Sequence, residues 1–167
     1  MKPLICDLPY PSTEYLVKDV RSGQIISFAY ATLKSELTAI LQYTYHHFYF
    51  NGVNDDFADT LMSIAVAEMK HLDILGEAML KLGVDPKYVQ CPNSRTYFNT
   101  STVSQSKIPE KMLMDDIAGE LEAIATYKKM LFVLENEQVE AIIQRIVMDE
   151  ELHLETLKKM LETYSAK

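Results

Sequence analysis

The sequence predicts an all-α fold, a four-helix bundle with one long crossover between helices two and three. Three observations carry that expectation. Apolar residues recur at spacings of three and four through most of the chain, and the strict alternation of a half-buried strand is absent. No proline interrupts the stretch between Ser12 and Asp85, and the chain has only five Gly and six Pro with 48% hydrophobic residues. One connection, Val84 to Ile108, is rich in Ser, Thr, Asn and Pro and far longer than a helical hairpin needs.

The elements follow in order within one domain spanning residues 1–167. Residues 1–21 are an N-terminal arm, in which Pro3, Pro9 and Pro11 rule out regular structure over the first dozen positions. Helix one runs from Ser22 to Phe50 and stops at Asn51-Gly52. Helix two starts under a cap from Asn54 or Asp55 and ends at Gly83, with Pro86 beyond it. Helix three opens at Pro109-Glu110, a proline in the first turn and an acid that suits the positive end of the helix dipole. Helix four follows Asn136 as N-cap and runs to Tyr164. Short links join helices one and two, and three and four, so each pair forms an antiparallel hairpin. A helix of about 28 residues is roughly 42 Å long, and the 84–108 crossover can span that length and set helices two and three parallel.

Composition closes off several functions. Lys plus Arg number 16 against 24 Asp plus Glu, a formal net charge of −8 with no basic run, which argues against nucleic acid and anionic membrane surfaces. No stretch reaches the roughly 18 apolar residues of a membrane span, and Asp7 comes too early for a signal-peptide core. Cys6 and Cys91 form neither a disulfide framework nor a metal knuckle, which points to a reducing, cytoplasmic setting.

The chemistry lies in two Glu-x-x-His tetrads, Glu68 with His71 and Glu150 with His153. At i and i+3 on a helix both side chains leave one face and can reach one metal ion. Glu36 and Glu68 are equidistant from the turn at Gly52, and Glu120 and Glu150 are equidistant from Glu135. Antiparallel neighbours equidistant from their turn sit at one height, so Glu36 faces Glu68 and Glu120 faces Glu150. Leu33, Leu37 and Ile40 surround Glu36, while Ile117, Leu121 and Ile124 surround Glu120. An acid on a core-facing stripe is costly unless something neutralises it.

The two halves also repeat. Glu36-Leu37-Thr38-Ala39-Ile40 aligns with Glu120-Leu121-Glu122-Ala123-Ile124, and Glu68, His71, Leu72 and Leu75 align with Glu150, His153, Leu154 and Leu157. Hairpins packed with pseudo-twofold symmetry bring four Glu and two His to the bundle centre, a set that suits a pair of divalent cations. The charge balance and ligand types fit iron or manganese, with zinc open as a substitute. Tyr43 and Tyr127 fall two turns after Glu36 and Glu120, where their hydroxyls could bond the ligand carboxylates. Asp149 could orient a histidine, but its counterpart is Ala67, so that support is one-sided.

On these residues the chain resembles the ferritin-like superfamily, in the group of rubrerythrins, manganese catalases and bacterioferritins. The resemblance covers residues 22–164 and rests on Glu36, Glu68, His71, Glu120, Glu150 and His153. It implies a ferritin-like bundle and a dinuclear site in which His71 and His153 each cap one metal and Glu68 and Glu150 bridge. It implies removal of hydrogen peroxide, by manganese-catalase-like disproportionation or rubrerythrin-like reduction, with peroxide or dioxygen as substrate, an electron-donor protein if the metal is iron, and self-association into a homo-oligomer. The alternatives are a bacterioferritin-like ferroxidase and iron-storage protein, and a non-catalytic metal-binding structural bundle. Two departures count against a rubrerythrin peroxidase: Ala123 stands where those proteins usually carry a further glutamate, and no pair of CxxC knuckles is present. Met69 occupies the position of the bacterioferritin haem ligand, but with nine Met in the chain it reads as packing, and haem is not expected. His46 and His47 read as partners of the helix-one C-terminus rather than ligands, and Glu122 and Glu151 as solvated.

Overall fold

A computed structural model describes residues 1–166. Among these residues five helices make up the regular structure: α1 (Val20–Tyr30), α2 (Glu36–Phe50), α3 (Asp55–Leu82), α4 (Pro109–Val133) and α5 (Glu137–Ser165). Among the described residues there is no strand, only an isolated bridge between Val89 and Tyr97 in the crossover. The expected all-α bundle is what the chain adopts. The α1 and α2 segments both pack on α3, and α4 packs on α5.

The predicted single helix from Ser22 to Phe50 is two helices. Residues 31–35 leave the helical path although they contain neither Gly nor Pro. Hydroxyl groups compete for the backbone there. Thr32 Oγ1 donates to the Phe28 carbonyl at 2.9 Å and Ser35 Oγ to that of Thr32 at 2.7 Å, while Thr38 Oγ1 donates to the Leu33 carbonyl at 3.0 Å. The crossover takes up what the break releases: the Leu33 N–H donates to the Gln90 carbonyl at 3.3 Å, and Thr102 Oγ1 donates to the Leu33 carbonyl. The break makes Glu36 the first residue of α2, and it begins α1 at Val20, two residues before the predicted start.

The remaining boundaries follow their caps. Asn54 accepts from the Phe57 N–H, Asn136 accepts from those of Gln138 and Val139, and Pro109 opens α4. Gly83 ends α3 in the left-handed region at φ 89°, which lets the Val84 N–H reach the Met79 carbonyl at 2.8 Å. From there the crossover runs back along α1 and α2. Tyr88 stacks on Tyr30, and the Ser104 N–H donates to Gln42 Oε1 at 2.9 Å.

The apolar interior divides into two clusters. One gathers Ile26, Leu75, Leu82, Ile142, Ile143 and Ile146, and the other Phe50, Leu61, Ile64, Met112, Leu113 and Leu157. Between them lies a polar layer holding Glu36, Glu68, His71, Glu120, Glu150 and His153, every one buried. An ionisable layer between two hydrophobic ones is strongly unfavourable unless its members pair with one another or with a cation.

Candidate metal centre

Six side chains from four helices converge in that layer: Glu36 from α2, Glu68 and His71 from α3, Glu120 from α4, and Glu150 and His153 from α5. They form two groups, each with ligand atoms within 4.8 Å of one another: Glu36, Glu68, His71 and Glu150 in one, and Glu68, Glu120, Glu150 and His153 in the other. Glu68 and Glu150 belong to both. His71 Nδ1 lies 3.1 Å from Glu68 and 3.4 Å from both Glu36 and Glu150. His153 Nδ1 lies 3.0 Å from Glu68, 3.4 Å from Glu150 and 3.7 Å from Glu120.

The outer ring nitrogens fix the tautomers. His153 Nε2 sits 2.8 Å from the Leu4 carbonyl, which can only accept, so Nε2 carries the proton and Nδ1 turns inward. His71 Nε2 donates to Asp149 Oδ2 at 3.2 Å with the same consequence. Both histidines therefore offer Nδ1 to the centre.

Protonation is split among the carboxyls. Burial, with the charges of Glu68 and Glu150 beside it, pushes Glu36 well above the usual carboxylate range, and burial with the Glu150 charge does the same to Glu120. Burial pushes Glu68 and Glu150 upward too. The close approach of His153 and His71 overrides it and holds both below the usual range. The histidines are the converse: burial lowers them, and their carboxylate partners raise both well above the ordinary imidazole range. In the metal-free layer the raised histidines thus face the lowered Glu68 and Glu150, and a cation would take the place of the Nδ1 protons.

The residues fit a pair of divalent cations. Among the described residues, buried Glu36 Oε2, Glu68 Oε1, Glu120 Oε2, Glu150 Oε1 and His153 Nδ1 find no hydrogen-bond partner, although such atoms are nearly always satisfied. Four carboxylates with two inward nitrogens supply the charge and the donor types that two cations require.

Supporting contacts surround this layer. Tyr43 donates to Glu120 and Tyr127 to Glu36, so each tyrosine reaches the glutamate of the opposite hairpin. Asp149 accepts from Tyr10 and, at 2.7 Å, from the Cys6 N–H, and its Oδ1 lies 2.7 Å from Arg145 Nη1. The Arg145 guanidinium lies 4.3 Å over the Tyr10 ring and donates to the Leu8 and Cys6 carbonyls at 2.9 and 2.8 Å. The N-terminal arm is thereby bound over the histidine side of the layer, a role its proline-broken sequence does not advertise. Ala67 opposite Asp149 was the available signal, since the second histidine needs an acceptor from elsewhere.

His46 is placed differently from its expected role at the α2 terminus. It is buried, with Nδ1 2.9 Å from Asp116, and Asp116 also accepts from Gln42 Nε2 at 2.9 Å. His47 Nδ1 bonds the Ala58 carbonyl at 2.8 Å. Glu122 and Glu151 are exposed and pair with Lys34 and Lys128. On the carboxylate side a cavity of about 870 Å³ opens between α2, α4 and the crossover, reaching Glu36, Glu68, Glu120 and Glu150. The histidines lie behind them, under the arm.

Known structures share this architecture. KatB, a manganese catalase from Anabaena, superposes with a TM-score of 0.85 at 19% identity, over 96% of this chain and 80% of that one. A bacterioferritin from Rhodobacter capsulatus, with a metal-free dinuclear site and haem iron, superposes with a TM-score of 0.74 at 23% identity, over 90% and 89%. At these identities the likeness is one of fold. No curated protein matches the chain in sequence. The family model of the ferritin-like domain matches residues 30–166, and the chain belongs to that family.

Proposed function

We propose that the chain is a dinuclear-metal oxidoreductase that removes hydrogen peroxide by disproportionation, two peroxides giving dioxygen and two waters. The observation that carries this reading is the pair of four-residue groups sharing Glu68 and Glu150, reached by a cavity from their carboxylate side. Glu36 and His71 would hold one cation, Glu120 and His153 the other, and Glu68 and Glu150 both. A bound manganese pair supplies two-electron cycling without an outside donor, whereas an iron pair calls on a donor protein or oxidises iron(II).

The chain's own residues do the positioning. Tyr43 and Tyr127 fix the terminal carboxylates, while Asp149 and the Leu4 carbonyl aim the two imidazoles. The arm over the histidine side and the apolar clusters above and below the layer exclude bulk water there, so peroxide would arrive through the cavity.

Among the described residues no helix is long and apolar enough to cross a membrane, and Cys6 and Cys91 are both free, which supports a cytoplasmic setting. Oxygen release from hydrogen peroxide without added reductant tests the reading, on protein loaded separately with manganese and with iron. Rapid release from the manganese form is expected, with loss in Glu36→Ala and Glu120→Ala. Silence from both forms overturns it. The bacterioferritin likeness favours iron(II) oxidation as the second reading, which predicts ferroxidase turnover and mineral loading instead.

A further inference from the structure

The cavity is much larger than its proposed substrate. Its volume is about 870 Å³, whereas a water occupies roughly 30 Å³ and pockets for small organic ligands span about 300–1,000 Å³. Its walls keep it open. Each terminal glutamate has a small residue one position before it and another three after: Ser35 at the N-cap of α2 and Ala39 within it, Gly119 and Ala123 on α4. All four line the cavity beside the glutamates, and a long side chain at any of them would roof the carboxylates.

Gly119 is the most telling of these. A glycine inside a helix costs about 1 kcal/mol relative to alanine. A Cβ built there meets nothing nearer than Gln42 Nε2 at 4.0 Å, so no neighbour in the fold demands the missing side chain. Leu33, Val103 and Ile108 add apolar surface to the wall, which is mostly apolar in area although Ser and Thr hydroxyls of the crossover also reach it, and the glutamates form its charged floor.

An apolar chamber over a carboxylate floor suits a molecule with one peroxy end and one hydrocarbon end. We propose that the site accepts organic hydroperoxides, the hydrocarbon group lodging between α2 and α4 and the peroxy group on the four glutamates. The inference rests on the peroxide reading above. The reaction balances without another donor: the O–O bond of ROOH breaks as it takes up two electrons and two protons, giving ROH and water. One hydrogen peroxide surrenders those two electrons and two protons and leaves as dioxygen.

Two measurements test it. First, metal-free protein is titrated with 2-phenylpropan-2-ol, the alcohol left by cumene hydroperoxide. Saturable binding is expected, weakened at least tenfold in Ala123→Phe and in Ala39→Phe, which fill the chamber from opposite walls. Second, manganese-loaded protein is given cumene hydroperoxide together with hydrogen peroxide. Consumption of both with oxygen release is expected, and each phenylalanine variant should lower the ratio of organic to hydrogen peroxide turnover at least tenfold. Absent alcohol binding, binding indifferent to both fillings, or alcohol binding without loss of cumene hydroperoxide overturns the proposal. Disproportionation of hydrogen peroxide alone, with no alcohol bound, overturns it and leaves the parent reading standing. Alcohol binding with no turnover of either peroxide overturns both as chemistry and leaves the chamber a binding site.

Discussion

Glu36 and Glu68 lie in the same buried layer, and the structure predicts that replacing each by its amide has opposite consequences for the metal-free fold. Glu36 keeps its proton because burial and the neighbouring Glu68 and Glu150 charges oppose ionisation. Glu36→Gln therefore swaps one neutral side chain for another of the same shape. The amide can still accept from Tyr127, as the carboxyl does. Glu68 is ionised between two imidazoles, with His153 Nδ1 at 3.0 Å and His71 Nδ1 at 3.1 Å. Glu68→Gln leaves two buried cations short of a counter-charge.

Breaking a buried ion pair from one side costs about 3–5 kcal/mol. For a chain of this length each kcal/mol moves the midpoint by roughly 2–4 °C, so Glu68→Gln should lower Tm by on the order of 6–20 °C. Glu36→Gln should stay within about 1 kcal/mol, a shift under roughly 4 °C. Thermal unfolding followed by circular dichroism in chelator, at neutral pH, makes the comparison. Metal content after reloading gives the other half: Glu36→Gln should retain one tightly held metal, and Glu68→Gln neither, because Glu68 belongs to both groups and Glu36 to one. Equal Tm losses in the two variants would refute the protonation pattern on which the argument stands.

Three further outcomes follow from the same geometry. Loading should release protons and strengthen as pH rises through and above the ordinary imidazole range, since His71 and His153 are held above that range and Glu36 and Glu120 above the carboxylate range, and ligation must remove their protons; titration calorimetry in buffers of different ionisation heat reads this, and uptake without proton release contradicts it. Asp149→Asn should weaken one of the two metals by about 10–100-fold and spare the other, because only His71 leans on Asp149, and stepwise chelator competition would show two similar losses if that is wrong. Gly119→Ala should raise Tm by roughly 2–4 °C, the helix-propensity gain with no clash to offset it, and a lowered Tm would mean that the position is crowded.

What could be read from the sequence divides along the symmetry of the fold. Glu36, Glu68, Glu120 and Glu150 could be matched by counting from Gly52 and Glu135, because antiparallel helices rise equally and the registers survive folding. The break at 31–35 kept that count intact, since it lies on the far side of Glu36 from the turn. The break itself was illegible from periodicity: its causes are the hydroxyls of Thr32, Ser35 and Thr38 together with a carbonyl and a hydroxyl contributed by the distant crossover. His46 went astray for a related reason, as its partner Asp116 is on another helix and no local spacing links them.

The arm lies further still from what a pattern can carry. Leu4 acts through its backbone carbonyl, Cys6 through its N–H and its carbonyl, and Leu8 through its carbonyl, groups that nearly every residue possesses. Only side chains that answer them leave a trace, and these are His153, the buried Arg145 and the one-sided Asp149. The repeat makes the two ligand groups alike, and the arm makes them unlike. One histidine is held by a buried carboxylate that is itself tied to Arg145 and Tyr10, the other by a neutral carbonyl. A carboxylate partner makes an imidazole a stronger donor than a carbonyl does. The two halves of the centre are therefore chemically distinct despite their repeated sequence, with the His71 side the more strongly donating.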